Sequence, residues 1–384
     1  MTIASILSIN RAALSGDQAP VGLSNDCYSD PAFLELERQR IFRRSWLAVG
    51  HGANIPAPGD AMPVVAAGVP VLLVRGRDGL VRAFHNVCGH RGLRLLDVAC
   101  QAQPTLRCPY HGWAFDLFGA LRATPDFGGV GHRNAPGFDP TRNGLRPIRL
   151  AEALGGLLFV NLSGDAPAFV DFAAPLLERW RAYDFSRLRH AHAEDCAVDA
   201  NWKLVAENFV DTLHLEWVHP QVVGHSRPED HFDIILPPAY GSASRSVLSP
   251  DPRASAIPSF PDLPQELANR GEFLFLYSNL LIFLLPNQLF SITLDAIGVD
   301  RTLERLDFSF VETDADADAD EARKWWIEGW RHLNAQDLGM LRRLQQGRSS
   351  PAFDGGCFSP VMDQVALAVQ RRVLDDLIAG GDPA

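Results

Sequence analysis

Two short stretches each pair a thiol with an imidazole: Cys88-Gly89-His90 and Cys108-Pro109-Tyr110-His111. Either spacing lets two side chains from one loop reach a common metal. All four donors on a single ion would make a structural zinc site. Two thiolates on one iron and two imidazoles on a second would make a [2Fe–2S] centre of mixed ligation. The order along the chain favours the cluster. Each arm supplies one Cys and one His, so two matching loops can clamp a diamond-shaped cluster from both sides, whereas zinc fingers more often read Cys-Cys and then His-His.

A second group lies about a hundred residues further on, in Glu207-Asn208-Phe209-Val210-Asp211-Thr212-Leu213-His214-Leu215-Glu216-Trp217-Val218-His219-Pro220. On a helix, Glu207, Asp211 and His214 share one face. His214 and His219 would point about 140° apart on a continuous helix. They can converge only if the helix ends between them, and Pro220 disfavours helical geometry at His219. Two imidazoles, one carboxylate and open positions form the facial triad of non-haem Fe(II) oxygenases. The plainer reading is a pair of polar histidines near a helix end.

The elements that must hold these groups can be read coarsely. Asp30-Pro31 predicts a helix start, with Phe33, Leu36 and Ile41 on one face, while residues 1 to 28 are weakly patterned. Short strands follow at Val64-Val65, Val71–Val74 and Val81–Phe84, with Asp78-Gly79 as a hairpin turn between the last two. A second hairpin fits Trp113–Phe115 and Leu121 around Phe118-Gly119. Each ligand loop therefore sits at a strand end. Leu157–Leu162 closes a first domain.

Beyond it, Asp195–Val198 is a strand and a helix begins near Asn201-Trp202-Lys203. The apolar stretch 272–289, broken by Ser278, Asn279 and Pro286, reads as two buried strands, Phe273–Tyr277 and Leu280–Leu285, not as a membrane span. The acidic Asp-Ala run in 313–321 reads as a solvated loop. Residues 321–346 predict a helix with Trp326, Trp330 and Leu333 toward one face. A last helix spans about 360–378, ended by Gly380-Gly381.

The chain has 384 residues, enough for two domains, with 47% hydrophobic and 21% charged residues. A net charge of −11 argues against a nucleic-acid partner. The six cysteines have no disulfide-framework spacing, and Cys100, between the arms, reads as a packed small side chain. Reduced thiols and the lack of a signal-peptide pattern predict a cytoplasmic protein with no membrane contact.

The text around the donors resembles one family closely. Cys88-Gly89-His90-Arg91-Gly92 and Cys108-Pro109-Tyr110-His111-Gly112-Trp113 match the binding loops of Rieske proteins. Asn201-Trp202-Lys203, Glu207-Asn208-Phe209, Asp211-x-x-His214 and His219-Pro220 are similar to the catalytic signature of Rieske non-haem iron oxygenases, oxygenase component large (alpha) subunit. The opening segment Tyr28–Trp46 is similar as well. The resemblance implies an α+β chain: an N-terminal segment (1–45) packing on the catalytic domain, an all-β Rieske [2Fe–2S] domain (46–160), and an α+β catalytic domain (161–384) with an antiparallel sheet covered by helices.

It further implies one [2Fe–2S] cluster on Cys88, His90, Cys108 and His111, and one Fe(II) on His214, His219 and an acid of the final helix. Asp363, in Ser359-Pro360-Val361-Met362-Asp363, fits that place; Asp354 in the preceding loop is the alternative. At the start of a helix the dipole favours an anion, and Leu367 and Leu374 follow on the same side. In the family a head-to-tail homotrimer brings the cluster of one subunit to the iron of its neighbour. Asp211 would be the bridging acid, bonding His214 and a Rieske imidazole (His111 or His90) across the interface.

The implied activity is that of a terminal oxygenase. Electrons come singly from a separate NAD(P)H reductase, directly or through a ferredoxin, and O2 is used to hydroxylate an organic substrate. No Gly-x-Gly-x-x-Gly fingerprint occurs, so the dinucleotide chemistry belongs to another chain. The expected substrate is an aromatic compound. The alternative is hydroxylation or N-demethylation of a quaternary ammonium compound, since the betaine- and carnitine-type members share this chain's short Glu-Asn to Asp spacing. Phe209, Trp217, Phe283 and Phe290 could line either pocket or serve as core. A non-catalytic Rieske electron carrier is the rival from another class, and would stop near residue 160.

Overall fold

The computed structural model describes residues 2–14, 20–222, 226–247, 251–313 and 317–379. The chain divides into two units, Trp46–Ala166 and the combination of Met1–Ser45 with Pro167–Ala384.

The 46–166 unit is all β. Its strands are β1 (Leu47–His51), β2 (Ala61–Ala66), β3 (Val69–Arg75), β4 (Val81–His85), β5 (Leu106–Arg107), β6 (Ala114–Phe115), β7 (Leu121–Ala123), β8 (Pro147–Ala153) and β9 (Leu157–Asn161). They form a six-stranded antiparallel sheet ordered β1-β9-β8-β4-β3-β2 and a small sheet ordered β5-β6-β7. Both expected hairpins are present. At the β3–β4 turn Gly79 has φ +79, which a glycine adopts without strain. At the β6–β7 turn the Asp116 carboxylate accepts from the backbone N–H of Phe118 and Ala120, each at 2.9 Å. A Cβ on Gly119 would lie 2.5 Å from the Phe84 ring, so this turn also requires glycine for space. Phe84, Leu106, Trp113, Phe115 and Leu117 form the core beneath the small sheet, with Cys88 and Cys108 within it.

The larger unit is built on a seven-stranded antiparallel sheet. Its strands are β10 (Leu188–Val198), β11 (His231–Leu236), β12 (Ala239–Ser244), β13 (Gly271–Leu276), β14 (Leu280–Leu285), β15 (Gln288–Gly298) and β16 (Arg301–Val311), ordered β10-β16-β15-β14-β13-β12-β11. The 272–289 stretch gives β13 and β14, as its breaks predict. The unbroken apolar run of β14 suits a central strand buried on both faces. Helices Trp202–Val210, Ala317–Gly347 and Gln364–Ala379 pack on this sheet. Among the described residues no helix is long and apolar enough to cross a membrane.

Local chemistry sets the helix ends. Asp30 accepts from the Ala32 N–H and Pro31 takes the first helical position. Asn201 caps the 202–210 helix through the Lys203 N–H at 3.0 Å. Three expectations are corrected. The first 28 residues are patterned after all: Ile3–Leu14 is a helix whose buried face is Ile6, Leu7, Asn10 and Leu14. Asn10 interrupts the apolar stripe and hides the period, while its amide bonds the Ile6 carbonyl and Ser24. The acidic run is partly helical rather than a loop: Asp318 and Asp320 occupy the first turn of the 317–347 helix, where the dipole favours acids, and 314–316 lie outside the described residues. The last helix starts at Gln364, not 360, because Ser359 Oγ accepts from the N–H of Val361 and Met362 and holds a turn there. The Gly380-Gly381 stop lies outside the described residues.

Candidate functional site: two groups of metal donors

The Cys88 and Cys108 loops are built alike. Each Cys N–H donates to the carbonyl five residues on, Leu93 or Trp113, at 2.8 Å. Each Cys carbonyl accepts from the glycine four residues on, Gly92 or Gly112, at 3.0 Å. Both glycines sit in the left-handed region, at φ +72 and +70. This shared turn mounts one thiol and one imidazole on each loop, with His90 two residues and His111 three residues after its cysteine. Both thiols are buried, and the rings of His90 and His111 lie 4.6 Å apart. Burial pushes the Cys88 thiol up to about 11, so free of metal it stays protonated. Nδ1 of His90 and Nδ1 of His111 are both buried without a hydrogen-bond partner. Two buried thiols beside two orphaned ring nitrogens fit a metal cluster held between the loops. Trp113 stacks on His90 at 4.8 Å and 4°, fixing that ring, and Tyr110 lies 3.8 Å from the His111 ring. Cys100 is not a further donor; it packs against the core below and pairs with Ala61.

The second group is assembled from three elements. The 202–210 helix ends at Val210, and Asp211 is extended at φ −80, ψ 134. The expected single helical face through Glu207, Asp211 and His214 is thus corrected. The Asp211 carboxylate accepts from the N–H of Leu213 at 2.8 Å and of His214 at 3.3 Å, a local turn that competes with the helix. The same carboxylate meets His214 Nδ1 at 3.1 Å. Glu207 points elsewhere, accepting from the Tyr28 hydroxyl at 2.6 Å. A short helix, Leu215–Val218, follows, and the chain leaves helical geometry at His219 (φ −122, ψ 54).

The acid that joins the two histidines is Asp337, from the middle of the 317–347 helix. Its Oδ1 lies 3.1 Å from His219 Nε2 and 3.7 Å from His214 Nε2. One ligand atom from each of His214, His219 and Asp337 lies within 4.8 Å of the others. His219 Nδ1 is matched to Gln336 Oε1 at 2.8 Å, and that oxygen also accepts from Gln221 at 2.6 Å. Each imidazole therefore uses Nδ1 on a neighbour, Asp211 or Gln336, and turns Nε2 toward the shared carboxylate. Orientation of a ligating histidine by a partner on its other nitrogen is the usual construction of a metal site.

Asp363 does not take this place. Its carboxylate accepts from the Ser359 N–H at 2.6 Å and closes the turn before the last helix. Burial raises its pKa, and the Asp211 charge adds to the rise. Asp354 is also elsewhere, accepting from the Asn25 N–H at 2.7 Å. Sequence reading missed Asp337, although a signal existed. Trp326, Trp330, Leu333, Asp337 and Leu341 follow one helical face, so Asp337 is an acid on an otherwise apolar stripe.

A cavity of about 500 Å³ opens onto the three residues. Phe209, Phe283 and Phe290 line it, one of the two roles open to them in the sequence, together with Trp326 and Trp330. Trp217 does not; it is 84% exposed. Glu304 of β16 also faces the cavity, is buried, and accepts from Asn334 Nδ2 at 2.8 Å. Burial pushes its carboxyl up to about 7; the Asn334 bond lowers it and the Asp337 charge raises it. His231, also in the lining, is driven down to about 4 by burial and lies between the hydroxyls of Ser226 and Ser242.

Both regions of the chain that carry these groups match known families. The family described as Rieske [2Fe-2S] domain matches residues 45–133, and the Ring hydroxylating alpha subunit (catalytic domain) matches residues 185–378. The chain is 37% identical over 206 residues to the glycine betaine monooxygenase oxygenase subunit of Chromohalobacter salexigens, covering 54% of this chain and 45% of that protein. It is 25% identical over 339 residues to the carnitine monooxygenase oxygenase subunit of Acinetobacter pittii, covering 85% of each. The matched stretch thus spans about half the length of the first of these relatives. A crystal structure of the quaternary ammonium Rieske monooxygenase CntA with an inhibitor shares the fold, with a TM-score of 0.79 at 21% identity over 95% of this chain and 97% of that one. The two matched domains imply a Rieske cluster and a mononuclear iron. The chain belongs to the alpha-subunit family of Rieske non-haem iron oxygenases.

Proposed function

We propose that the chain is the terminal oxygenase of a multicomponent system, hydroxylating a small, largely apolar organic substrate with O2. One observation carries the reading: two imidazole Nε2 atoms converge on one Asp337 oxygen, beside a cavity walled by aromatic rings. In this proposal His214, His219 and Asp337 hold Fe(II), and Cys88, His90, Cys108 and His111 hold the cluster. When bound, the cluster supplies electrons singly and the iron supplies O2 activation.

The chain's own residues do the positioning. Asp211 and Gln336 hold Nδ1 of the two histidines, which keeps each Nε2 free as a donor. Three protein donors leave sites open for oxygen beside the substrate. The aromatic walls bury an apolar substrate and exclude water from the reacting centre. Asp211, about a quarter exposed, is suited to a further bond to a Rieske imidazole of a second copy in a homotrimer. The electron donor is a separate reductase, alone or with a ferredoxin. Six unpaired cysteines support a cytoplasmic location.

The aromatic lining supports an aromatic substrate; the names of the relatives support a quaternary ammonium compound. Oxygen uptake by the reconstituted protein with a surrogate reductase, over a panel of both classes, tests the proposal. Substrate-dependent uptake with formation of a hydroxylated or demethylated product is expected. A protein that carries cluster and iron yet consumes no oxygen with any reductase and substrate would contradict it.

A further inference from the structure

The cavity contains an acid that none of these roles uses. Glu304 is 1% exposed, and Asn334 is its hydrogen-bond partner among the described residues. A buried carboxyl with one neutral partner destabilises a fold, and an apolar residue of similar size would pack there at less cost. On the same inward face of β16, Leu306 and Phe308 are apolar, and Thr302 on the other side donates its hydroxyl to the Ala200 carbonyl at 2.8 Å, so neither side offers Glu304 a charged partner. The group therefore has a use that packing does not supply.

The rest of the lining defines that use. No Lys or Arg lines the cavity among the described residues, whereas Glu304, Asp337, Asp211 and Asp251 do. Of the imidazoles, His214 and His219 face Asp337, burial keeps His231 neutral, and His332 is exposed. Trp326 and Trp330 contribute rings, and the Trp330 N–H is already taken by Gln288 at 3.0 Å. With aromatic rings, a buried acid and no Lys or Arg side chain among the described lining residues, the wall at Glu304 is complementary to a positively charged nitrogen and repels an anion placed against that acid.

We infer that Glu304 is a specificity-determining residue, which with the rings of Trp326 and Trp330 receives a cationic nitrogen of the substrate and disfavours any substrate that carries a carboxylate beside it. This rests on the reading of the cavity as the substrate site of an oxygenase. It departs from what the names of the betaine and carnitine relatives suggest, because both of those compounds carry a carboxylate.

Calorimetric titration of the cluster- and iron-loaded protein tests it with three probes of nearly one shape. They are choline, its uncharged isostere 3,3-dimethylbutan-1-ol, and the zwitterion trimethylglycine. Choline should bind roughly tenfold more tightly than either of the others. Glu304→Gln, which keeps an acceptor for Asn334, should reduce choline to the level of the isostere and leave the isostere within about twofold. Iron content and the cluster absorption of the same samples show whether the metal sites remain, which separates failure of this inference from failure of the oxygenase reading. Equal binding of choline and isostere by the unmodified protein, preference for trimethylglycine, or no binding of choline would overturn it. So would a Glu304→Gln protein that retains its iron and its preference for choline.

Discussion

The cluster loops and the His214–His219–Asp337 group, the two proposed sets of metal donors, are built in opposite ways. The cluster loops are local and repeated. One backbone turn occurs twice, each time with a left-handed glycine four residues after the cysteine, and places one thiol and one imidazole per loop. The second group draws on a loop, a short helix end and the middle of a long helix, with His219 and Asp337 118 positions apart in the chain. In the first case covalent neighbours set the geometry. In the second, tertiary packing sets it, so its donors answer to the register of a helix on a sheet.

This contrast predicts how each site fails. Cys108→Ser should remove the cluster absorption and all turnover, while mononuclear iron stays bound, because the two donor sets share no residue. Visible spectroscopy and metal analysis check this; simultaneous loss of both metals would show that the sites are coupled. His214→Ala should give the converse, an intact cluster spectrum with the mononuclear iron and turnover lost.

Asp211→Asn keeps the size of the side chain and removes its charge. It should retain both metals and the size in solution of the unmodified protein yet lose turnover by roughly 10–100-fold. Single-turnover reduction together with size measurement tests this. Normal turnover would mean that Asp211 serves only the local turn at Leu213 and His214. Gln336→Leu removes the partner of His219 Nδ1 and should weaken iron binding by roughly 10–100-fold with no change in the cluster spectrum. Equilibrium dialysis against Fe(II) measures it. The smallest effect belongs to the cluster loop: Gly92→Ala places a Cβ at φ +72 and should cost about 1–2 kcal/mol in denaturant unfolding of the holo protein. An unchanged midpoint would show that the turn relaxes freely.

The same contrast explains what the sequence disclosed. The matching Cys-His loops, both hairpins of the 46–166 unit and the two strands within 272–289 were legible because each depends on a few adjacent residues. His214 and His219 were legible as a pair, since Pro220 marks the break that lets them converge. The helix end at Asp211 was not, because its cause is a side-chain bond to the N–H groups of Leu213 and His214 that competes with the helix. Asp337 was passed over because it sits in a polar-looking run, Asn334-Ala335-Gln336-Asp337, although it continues the face of Trp326, Trp330 and Leu333 that the cavity uses. Asp363 had the better local argument, a carboxylate at a helix start, and that argument was right about the helix: it closes the Ser359 turn.

Metal analysis of the unmodified protein beside Asp337→Ala and Asp363→Ala tests the assignment of the third donor most directly. The unmodified protein should hold about three irons per chain, two in the cluster and one mononuclear. Asp337→Ala should fall to about two, with an unchanged cluster spectrum and no turnover, while Asp363→Ala should keep about three. An Asp337→Ala protein that keeps its mononuclear iron while Asp363→Ala loses it would contradict the assignment.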